Sequence, residues 1–484
     1  MRKIKVLGLI SFLMVCVLMF GGMPLVYANQ PTRLLVNGRP HHYPELILVG
    51  GNPLMPARQV ANLFGGRFIW LPHYSQALLV INDNIYIMSV DSVLITLNEG
   101  RLQANAPAQI INHQVFLPLC FVADVEGWDI RIAEDTNTVH LANNHTRAAT
   151  YAGMGIHGNA DGVNAQFNLP NGVFGGNGYI FVADTFNNLI RKICYDGVTD
   201  LYAGRILAVD DRGFPHGFIR DGDRLEDALF NRPMDGVVGE CGRIFVADAG
   251  NHAIRVIDGD NVLTLTGGTA YGHADGGVSE ALFNFPVAIA MDEGGNLFVA
   301  DTLNHAIRKI TANGQVYTIA GVAGEYGFED GDAENAMFNT PMGIAVDENG
   351  RIFVADTGNH LIRVIDGGKV YTIAGTLTFD ADREWDGVPM GGFADGVQAM
   401  FNQPTGIALW GDVLIVADTA NHSIRNINIQ TGVVFTIAGN GYPGRDDGVP
   451  VDATFHLPAG VFVVGDTIFV ADTGNNLIRT ITLR

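Results

Sequence analysis

From about residue 149 onward, apolar and polar positions alternate in short runs bounded by Gly, Asn, Asp or Pro, and this period of two predicts β-strands joined by tight turns. One stretch shows the grammar. Pro341 opens a strand at 343–347 (GIAVD), Glu348-Asn349-Gly350 reverses it, 352–356 (IFVAD) runs back, and Thr357-Gly358-Asn359 turns again. Residues 360–365 (HLIRVI) then descend, Gly367-Gly368 turns, and 370–375 (VYTIAG) closes the set. Four antiparallel strands follow, with turn chemistry at each reversal.

The same unit is written six times. Its cores, FVADTFNNLIR, FVADAGNHAIR, FVADTLNHAIR, FVADTGNHLIR, IVADTANHSIR and FVADTGNNLIR, centre on Asp184, Asp248, Asp301, Asp356, Asp418 and Asp472, at spacings of 53 to 64 residues. One four-stranded sheet per copy is the building block of a propeller, and six copies predict six blades. The last copy ends on its third strand, LIRTITLR, while a spare fourth strand, Ala149 to Gly153 (ATYAG), precedes the first copy. The early strand is therefore expected to complete the last sheet, closing the ring and leaving no open edge.

Ahead of this array the period changes. Asn37-Gly38 marks a hairpin turn, and two segments echo one another, PLMPARQVANLFGGRFIW from Pro53 and VFLPLCFVADVEGWDIRI from Val115. Each predicts a short helix starting near a proline (Pro56, Pro118), then a glycine and a strand. A small α+β domain with internal duplication is expected over 29–146, and the all-β propeller over 147–484.

What recurs in all six copies serves the scaffold, because a binding site on a ring is seldom sixfold. Asp, Asn three residues on and Arg seven on recur throughout: Asp184/Asn187/Arg191, Asp248/Asn251/Arg255, Asp301/Asn304/Arg308, Asp356/Asn359/Arg363, Asp418/Asn421/Arg425 and Asp472/Asn475/Arg479. Asp and Asn suit the turn between second and third strands, and the Arg returns across the hairpin to form a charge-assisted pair. A second element, Ala-x-Phe-Asn-x-Pro, places Phe167, Phe230, Phe283, Phe338 and Phe401 in the loop leading into each inner strand, with His replacing Asn after Phe455. Four turns carry His (His252, His305, His360, His422), but they sit on different blades and cannot converge on one zinc ion.

These motifs, including the literal Asn359-His360-Leu361, resemble the NHL repeat family over about residues 149 to 484. The resemblance implies a propeller, and it leaves activity open among peptide, protein and nucleic-acid binding and occasional lyase or hydrolase chemistry. Peptide-amidating lyases of similar build carry zinc-binding His near the central channel. Here the residues after the lead-in prolines are Asn171, Met234, Val287, Met342, Thr405 and Ala459, which argues against that chemistry.

The preceding stretch resembles the copper amine oxidase N-terminal-like domain, a module of surface and secreted proteins of Gram-positive bacteria. In the oxidases, copper and the quinone belong to a separate catalytic domain, and nothing here resembles it. No copper and no amine oxidase activity are expected. His41-His42 adjoin rather than adopting the His-x-His spacing that points two rings the same way, and Cys120 stands where the first half has Arg58.

Arg2, Lys3 and Lys5 precede an apolar run from Val6 to about Gly22, and Val26-Tyr27-Ala28 is a small-residue cleavage signal. Residues 1–28 therefore read as a secretory signal peptide, and the mature chain as secreted, extracellular or associated with a bacterial cell wall, with no membrane span. The three further cysteines, Cys120, Cys194 and Cys241, are too few for a disulfide framework. The net charge of −21 is uneven: residues 149–484 hold 19 basic against 41 acidic side chains. Such a surface repels nucleic acid and favours cationic partners.

Function should lie where the copies differ. From the Gly ending each fourth strand to the next motif Phe, two connections span 26 residues (Gly204 to Phe230, Gly375 to Phe401) against 14 to 17 elsewhere. They lead into the second and fifth blades, opposite one another in a six-membered wheel, and predict a cleft at the channel mouth. Phe214, His216 and Phe218 lie in one loop; Phe379, Trp385 and Phe393 lie in the other. Asp235 occupies an inner-strand position filled elsewhere by Gly172, Ala288, Gly343, Gly406 and Gly460. Phe214, His216, Asp235, Phe379 and Trp385 are the candidate ligand contacts. Asp382, Glu384 and Asp386, followed by Gly387, resemble the start of a calcium loop, although Phe393 stands where its closing Glu is expected. Calcium is the single candidate cofactor.

The expected function is non-enzymatic binding or scaffolding of an extracellular protein, peptide or cell-wall glycan on one propeller face. The rival is a lyase or hydrolase at the channel mouth using Asp235. No nucleophile elbow, zinc signature or Ser-His-Asp arrangement is legible in support of the rival.

Overall fold

The computed structural model of the chain describes residues between 33 and 482 apart from short stretches, of which 380–388 is the longest; within 147–482 the others are 177, 195, 240, 241, 269 and 451. The expected signal peptide at 1–28, Asn37-Gly38, His42, Cys241 and all of Asp382, Glu384, Trp385 and Asp386 lie outside the described residues. Among the described residues the architecture is all-β, with two short α-helices and many small sheets. Contacts divide the chain into two units, one built on His42–Val125 and a larger one on His140–Arg484.

In the smaller unit the two echoing segments meet as neighbours. Asn52–Pro56 pairs antiparallel with Gln114–Pro118, with Met55 opposite Leu117, and each strand runs directly into a helix, Ala57–Leu63 and Leu119–Val125. Proline at each junction fits because a first-turn residue has no intrahelical partner for its N–H. Leu54, Met55, Val60, Leu117, Leu119 and Val122 are buried together with Tyr86 and Met88 of a five-stranded meander over 67–103.

In the larger unit six sheets follow one plan. Each starts with an inner strand (Val173–Gly176, Pro233–Val238, Pro286–Met291, Gly343–Val346, Pro404–Trp410, Pro458–Val464) and runs outward through consecutive antiparallel neighbours. The inner strands contact one another in sequence order, and the last contacts the first, giving a closed, propeller-like ring. The sixth sheet takes its outer strand from far upstream: Arg147–Ala152 pairs with Leu477–Thr482, with Thr150 opposite Arg479. Buried Val, Ile, Ala and Phe of adjacent sheets form the cores between them. The hydrophobic effect thus holds neighbouring sheets face to face, at about 25 cal/mol per Å² buried.

Every arginine of the repeat is fully buried, as is its aspartate. The Nη1 group donates to the aspartate seven residues earlier at 2.5–2.9 Å and also to a backbone carbonyl, as in Arg308 to Asp301 and Leu282. The Asp–Arg pair expected from the hairpin spacing forms in all six sheets, and each guanidinium also serves a second carboxylate. Arg191 spans Asp184 and Asp161, and Arg255 spans Asp248 and Asp221, the outer carboxylate lying in the lead-in loop rather than in the hairpin. Arg308, Arg363, Arg425 and Arg479 likewise reach Asp275, Asp330, Asp395 and Asp447 through Nη2, which donates to a second carbonyl in each sheet as well. The saturation is not complete: the buried Nε of Arg191, Arg255, Arg308, Arg425 and Arg479 has no acceptor among the described residues, whereas that of Arg363 donates to Asp330 at 3.0 Å. The guanidinium lies over the motif phenylalanine, 4.9–5.4 Å from the ring centre in sheets from Phe167 to Phe455. A second carboxylate and two carbonyls offset part of the desolvation of each buried cation.

The turn after each second strand joins its sheet to the next. The residue following the turn Asn is left-handed, φ 53–58°, and its side chain accepts a backbone N–H from the next lead-in loop. His252, His305, His360 and His422 do so through Nδ1, from Phe285, Thr340, Gln403 and Leu457. Asn188 and Asn476 do so through Oδ1, from Arg232 and Leu169. The donors are themselves left-handed (φ 45–56°), strain of order 1–3 kcal/mol that persists because the bonds over-determine it. Thr hydroxyls add a second tie to the next sheet's proline carbonyl, for example Thr302 to Pro341 and Thr473 to Pro170, whereas the second sheet has Ala249 there.

Candidate functional site

Because each inner strand pairs antiparallel with the second strand, Pro233 stands opposite Asp248 and Pro286 opposite Asp301. The turns after the second strands and the lead-in loops therefore share one edge of every sheet. The long connections, the His and Asn latches and the start of the inner strands all lie on that face of the ring.

At the axis the inner strands surround a small cavity of about 50 Å³, lined by Asn171, Met234, Asp235, Val287, Met342, Thr405 and Ala459 together with their neighbours on each strand. A second, more open chamber of about 250 Å³ continues along the same strands and again includes Asp235. The waist between them is a close approach of backbones. A Cβ at Gly343, Gly406, Gly460 or Gly172 would lie only 1.9–2.5 Å from a carbonyl oxygen of the next strand, so four sheets require glycine there. Asp235 and Ala288 are the exceptions, and the ring opens enough on their side to admit a side chain.

Asp235 is the single ionisable side chain lining either chamber among the described residues. Its Oδ2 accepts the Ile289 N–H at 3.3 Å, and a Cβ built on Gly172 would stand 2.9 Å from its Oδ1, so the carboxyl lies close to the strands on both sides and is bonded to one of them. Burial pushes its pKa up to about 7, against the pull of the Gly236 and Ile289 N–H groups. No cation among the described residues pairs with it. Arg191, Arg255 and their four counterparts line neither chamber; their charge is spent inside the sheets. The six scaffold aspartates are different: burial also raises them, to about 6 for Asp184, Asp248, Asp301 and Asp356, but an arginine and two N–H donors oppose it in each.

The loop aromatics do not join Asp235 in the cavity lining. Phe214 packs sideways against His157 at 6.2 Å, and His216 lies 6.4 Å from Phe218, where the expected cleft would have aimed them at the axis. The loop is tied down locally, with Asp210 capping the Arg212 and Phe214 N–H groups and Asn188 donating to the Pro215 carbonyl. Phe379, 50 % exposed, lies 5.8 Å from Phe328 of the neighbouring lead-in loop, and Phe393 lies 4.8 Å from the Arg425 guanidinium. Reciprocal bonds between Thr378 and Met390 pinch the base of the loop that carries Trp385.

Sequence reasoning missed further residues on this face. Tyr271, Tyr326 and Tyr442 are the most exposed aromatics described in the larger unit, and Tyr271 and Tyr326 each stand about 6 Å from a latch histidine, His252 and His305. Tyr271 and Tyr326 precede the glycine that donates to the motif Phe carbonyl, a signal readable once the lead-in loops are aligned.

The family model for the copper amine oxidase N-terminal domain matches residues 35–141, and that for the NHL repeat matches 283–310, 338–365 and 401–425. The chain is similar to NHL repeat-containing protein 2 of Homo sapiens, 30 % identical over 315 residues, which are 57 % of this chain and 41 % of that protein. It is also 30 % identical over 268 residues to Protein SUPPRESSOR OF QUENCHING 1, chloroplastic, of Arabidopsis thaliana, covering 52 % of this chain and 24 % of that protein. The chain thus spans between a quarter and two-fifths of these curated relatives. Among solved structures, a Bacteroides thetaiotaomicron protein of unknown function superposes with a TM-score of 0.52 at 16 % identity, covering 82 % of each chain. An auxiliary nutrient binding protein from Bacteroides ovatus gives 0.50 at 15 % identity, over 84 % of this chain and 94 % of that one. The chain thus contains segments that match the NHL repeat and a copper amine oxidase N-terminal domain, and its curated relatives include NHL repeat-containing proteins.

Proposed function

We propose that this chain is a secreted or cell-surface binding protein, a six-bladed propeller whose lead-in face recognises a peptide, protein or glycan. The observation that carries the reading is the division of labour on that face. The recurring charges are consumed inside the blades, while Phe214, Tyr271, Tyr326, Phe379 and Tyr442 stand exposed in the lead-in loops of that face. Tyr and Phe bury large area at low rotamer cost, which suits them to contact. The nutrient-binding description of the Bacteroides ovatus neighbour is in keeping with this reading. The 29–146 module would act as an accessory domain, and Asp382, Glu384 and Asp386 would be the ligands of a bound calcium ion.

The test is to incubate the purified chain with bacterial cell-wall fractions and with a glycan and peptide panel, then repeat it with Tyr326→Ala, Phe379→Ala and Trp385→Ala. Retention that drops with the aromatic variants supports the reading. Retention indifferent to all three would remove this face from function. A lyase or hydrolase reading rests on one feature, a carboxyl held near neutral pH at the cavity, where a general base operates. Turnover lost in Asp235→Asn with binding retained would favour it.

A further inference from the structure

We propose that the axial cavity is a receptor for an unbranched alkylammonium group, a lysine side chain or a free linear amine, whose charged end meets Asp235 at the waist of the channel. This rests on the binding reading above and names the chemistry its centre selects.

Shape and lining carry the inference. The way in from the lead-in face is walled by Met234, Val287 and Met342, with Asn171 and Thr405 as the polar side chains besides Asp235. The Thr405 hydroxyl is engaged with Thr419 and the Ala459 carbonyl, so it offers a guest little. A narrow opening flanked by Met234, Val287 and Met342 and ending in one carboxylate complements a short methylene chain ending in one cation. A divalent metal is a poorer fit, because calcium takes six to eight oxygens and its sites draw on several carboxylates. A guanidinium is poorer too, because its planar fork is wider than an ammonium and the backbones approach closely at the waist.

Position gives an independent argument. Four of six sheets place glycine at the waist because a Cβ there meets backbone at 1.9–2.5 Å, yet the second sheet carries a carboxylate. Packing alone does not ask for that residue. The acidic balance of 149–484 would also concentrate cations at the mouth. Burial of the unpaired carboxyl sets its protonation near neutrality, and an arriving ammonium would pull the proton off. Binding should therefore strengthen with rising pH through about 7, with the ammonium still charged and no other ionisable side chain lining either chamber among the described residues.

Isothermal titration of the full chain with n-pentylammonium and with a short lysine peptide, at pH 8 and pH 5.5, tests this. The expected result is saturable binding of at least one probe at pH 8, at least tenfold weaker at pH 5.5 and abolished by acetylation of the amine. Asp235→Asn and Asp235→Gly should each lose it, and the glycine variant, which restores the residue four other sheets use, guards against misfolding. Binding of pentylammonium alone assigns a free amine, and binding of the peptide alone assigns a polypeptide lysine. No binding of either probe, or binding equal in Asp235→Asn, overturns the proposal. A panel ligand that depends on Tyr326 or Phe379 but not on Asp235 would leave the binding reading standing and this inference refuted.

Discussion

Two kinds of aspartate share the interior of this ring, six fully buried and one half-buried at the axis, and they are treated in opposite ways. Asp356 has an arginine, the Asn359 amide and the Asn339 N–H, all within 2.8 Å, and it recurs with the same partners in five other sheets. Asp235 has backbone N–H groups, no counter-ion among the described residues, and no counterpart. A satisfied charge is scaffold; an unsatisfied one costs stability and so marks a place where something else was selected. The comparison separates architecture from function without an alignment, because the chain supplies six versions of itself.

Breaking the scaffold side should have the largest effect. Arg363→Leu leaves Asp356 and Asp330 facing an apolar side chain, and is expected to cost about 3–5 kcal/mol, read as a shifted denaturant midpoint. Next comes the opposite sign at the axis. The folded pKa of Asp235 is raised, so its contribution is most favourable below the unfolded value near 3.8 and is lost as pH rises through about 7. Asp235→Asn should accordingly stabilise the chain at pH 8 by roughly 2–4 kcal/mol and have little effect at pH 4, as measured by urea unfolding. A destabilised Asp235→Asn at pH 8 would erase the contrast.

The latches should give smaller changes. His360→Ala orphans the Gln403 N–H and is expected to cost about 1–3 kcal/mol, whereas His360→Asn should be nearly silent, since Asn188 and Asn476 do the same work. Burial holds the four latch imidazoles below their ordinary range. Their contribution is present above about pH 6.5 and is lost as pH falls below it, so the His→Asn variant should show a shallower loss on acidification. The smallest effect is a gain. Ala249→Thr should supply the missing tie to the Pro286 carbonyl and stabilise by about 0.5–1 kcal/mol.

How much of this could be read from sequence follows from distance along the chain. The inner halves of the ion clusters, Asp184 with Arg191 and Asp248 with Arg255 among them, were legible because seven residues span one hairpin, and Asp235 because it breaks a column of small residues. The outer carboxylates were not, although Asp-Gly recurs at 161, 221, 275, 330, 395 and 447. Their arginines lie some 30 residues downstream, and only the folded loop brings them together. The His latches were likewise invisible, because acceptor and donor belong to different sheets and the bond needs a left-handed residue at both ends. The long loops were found by length, but their aromatics pack sideways onto neighbours, a direction that no spacing encodes.

The pairing of Thr150 with Arg479, and of Leu169 with Asn476, has a kinetic consequence. Open solenoids can fray from either tip, one repeat at a time, because a terminal repeat has a single neighbour. Here the seam between first and last sheets joins residues more than 300 apart, so no repeat is terminal and unravelling must begin by parting that seam. Assembly meets the same bottleneck in reverse: the ring stays open until its final hairpin has emerged and found a strand made long before it.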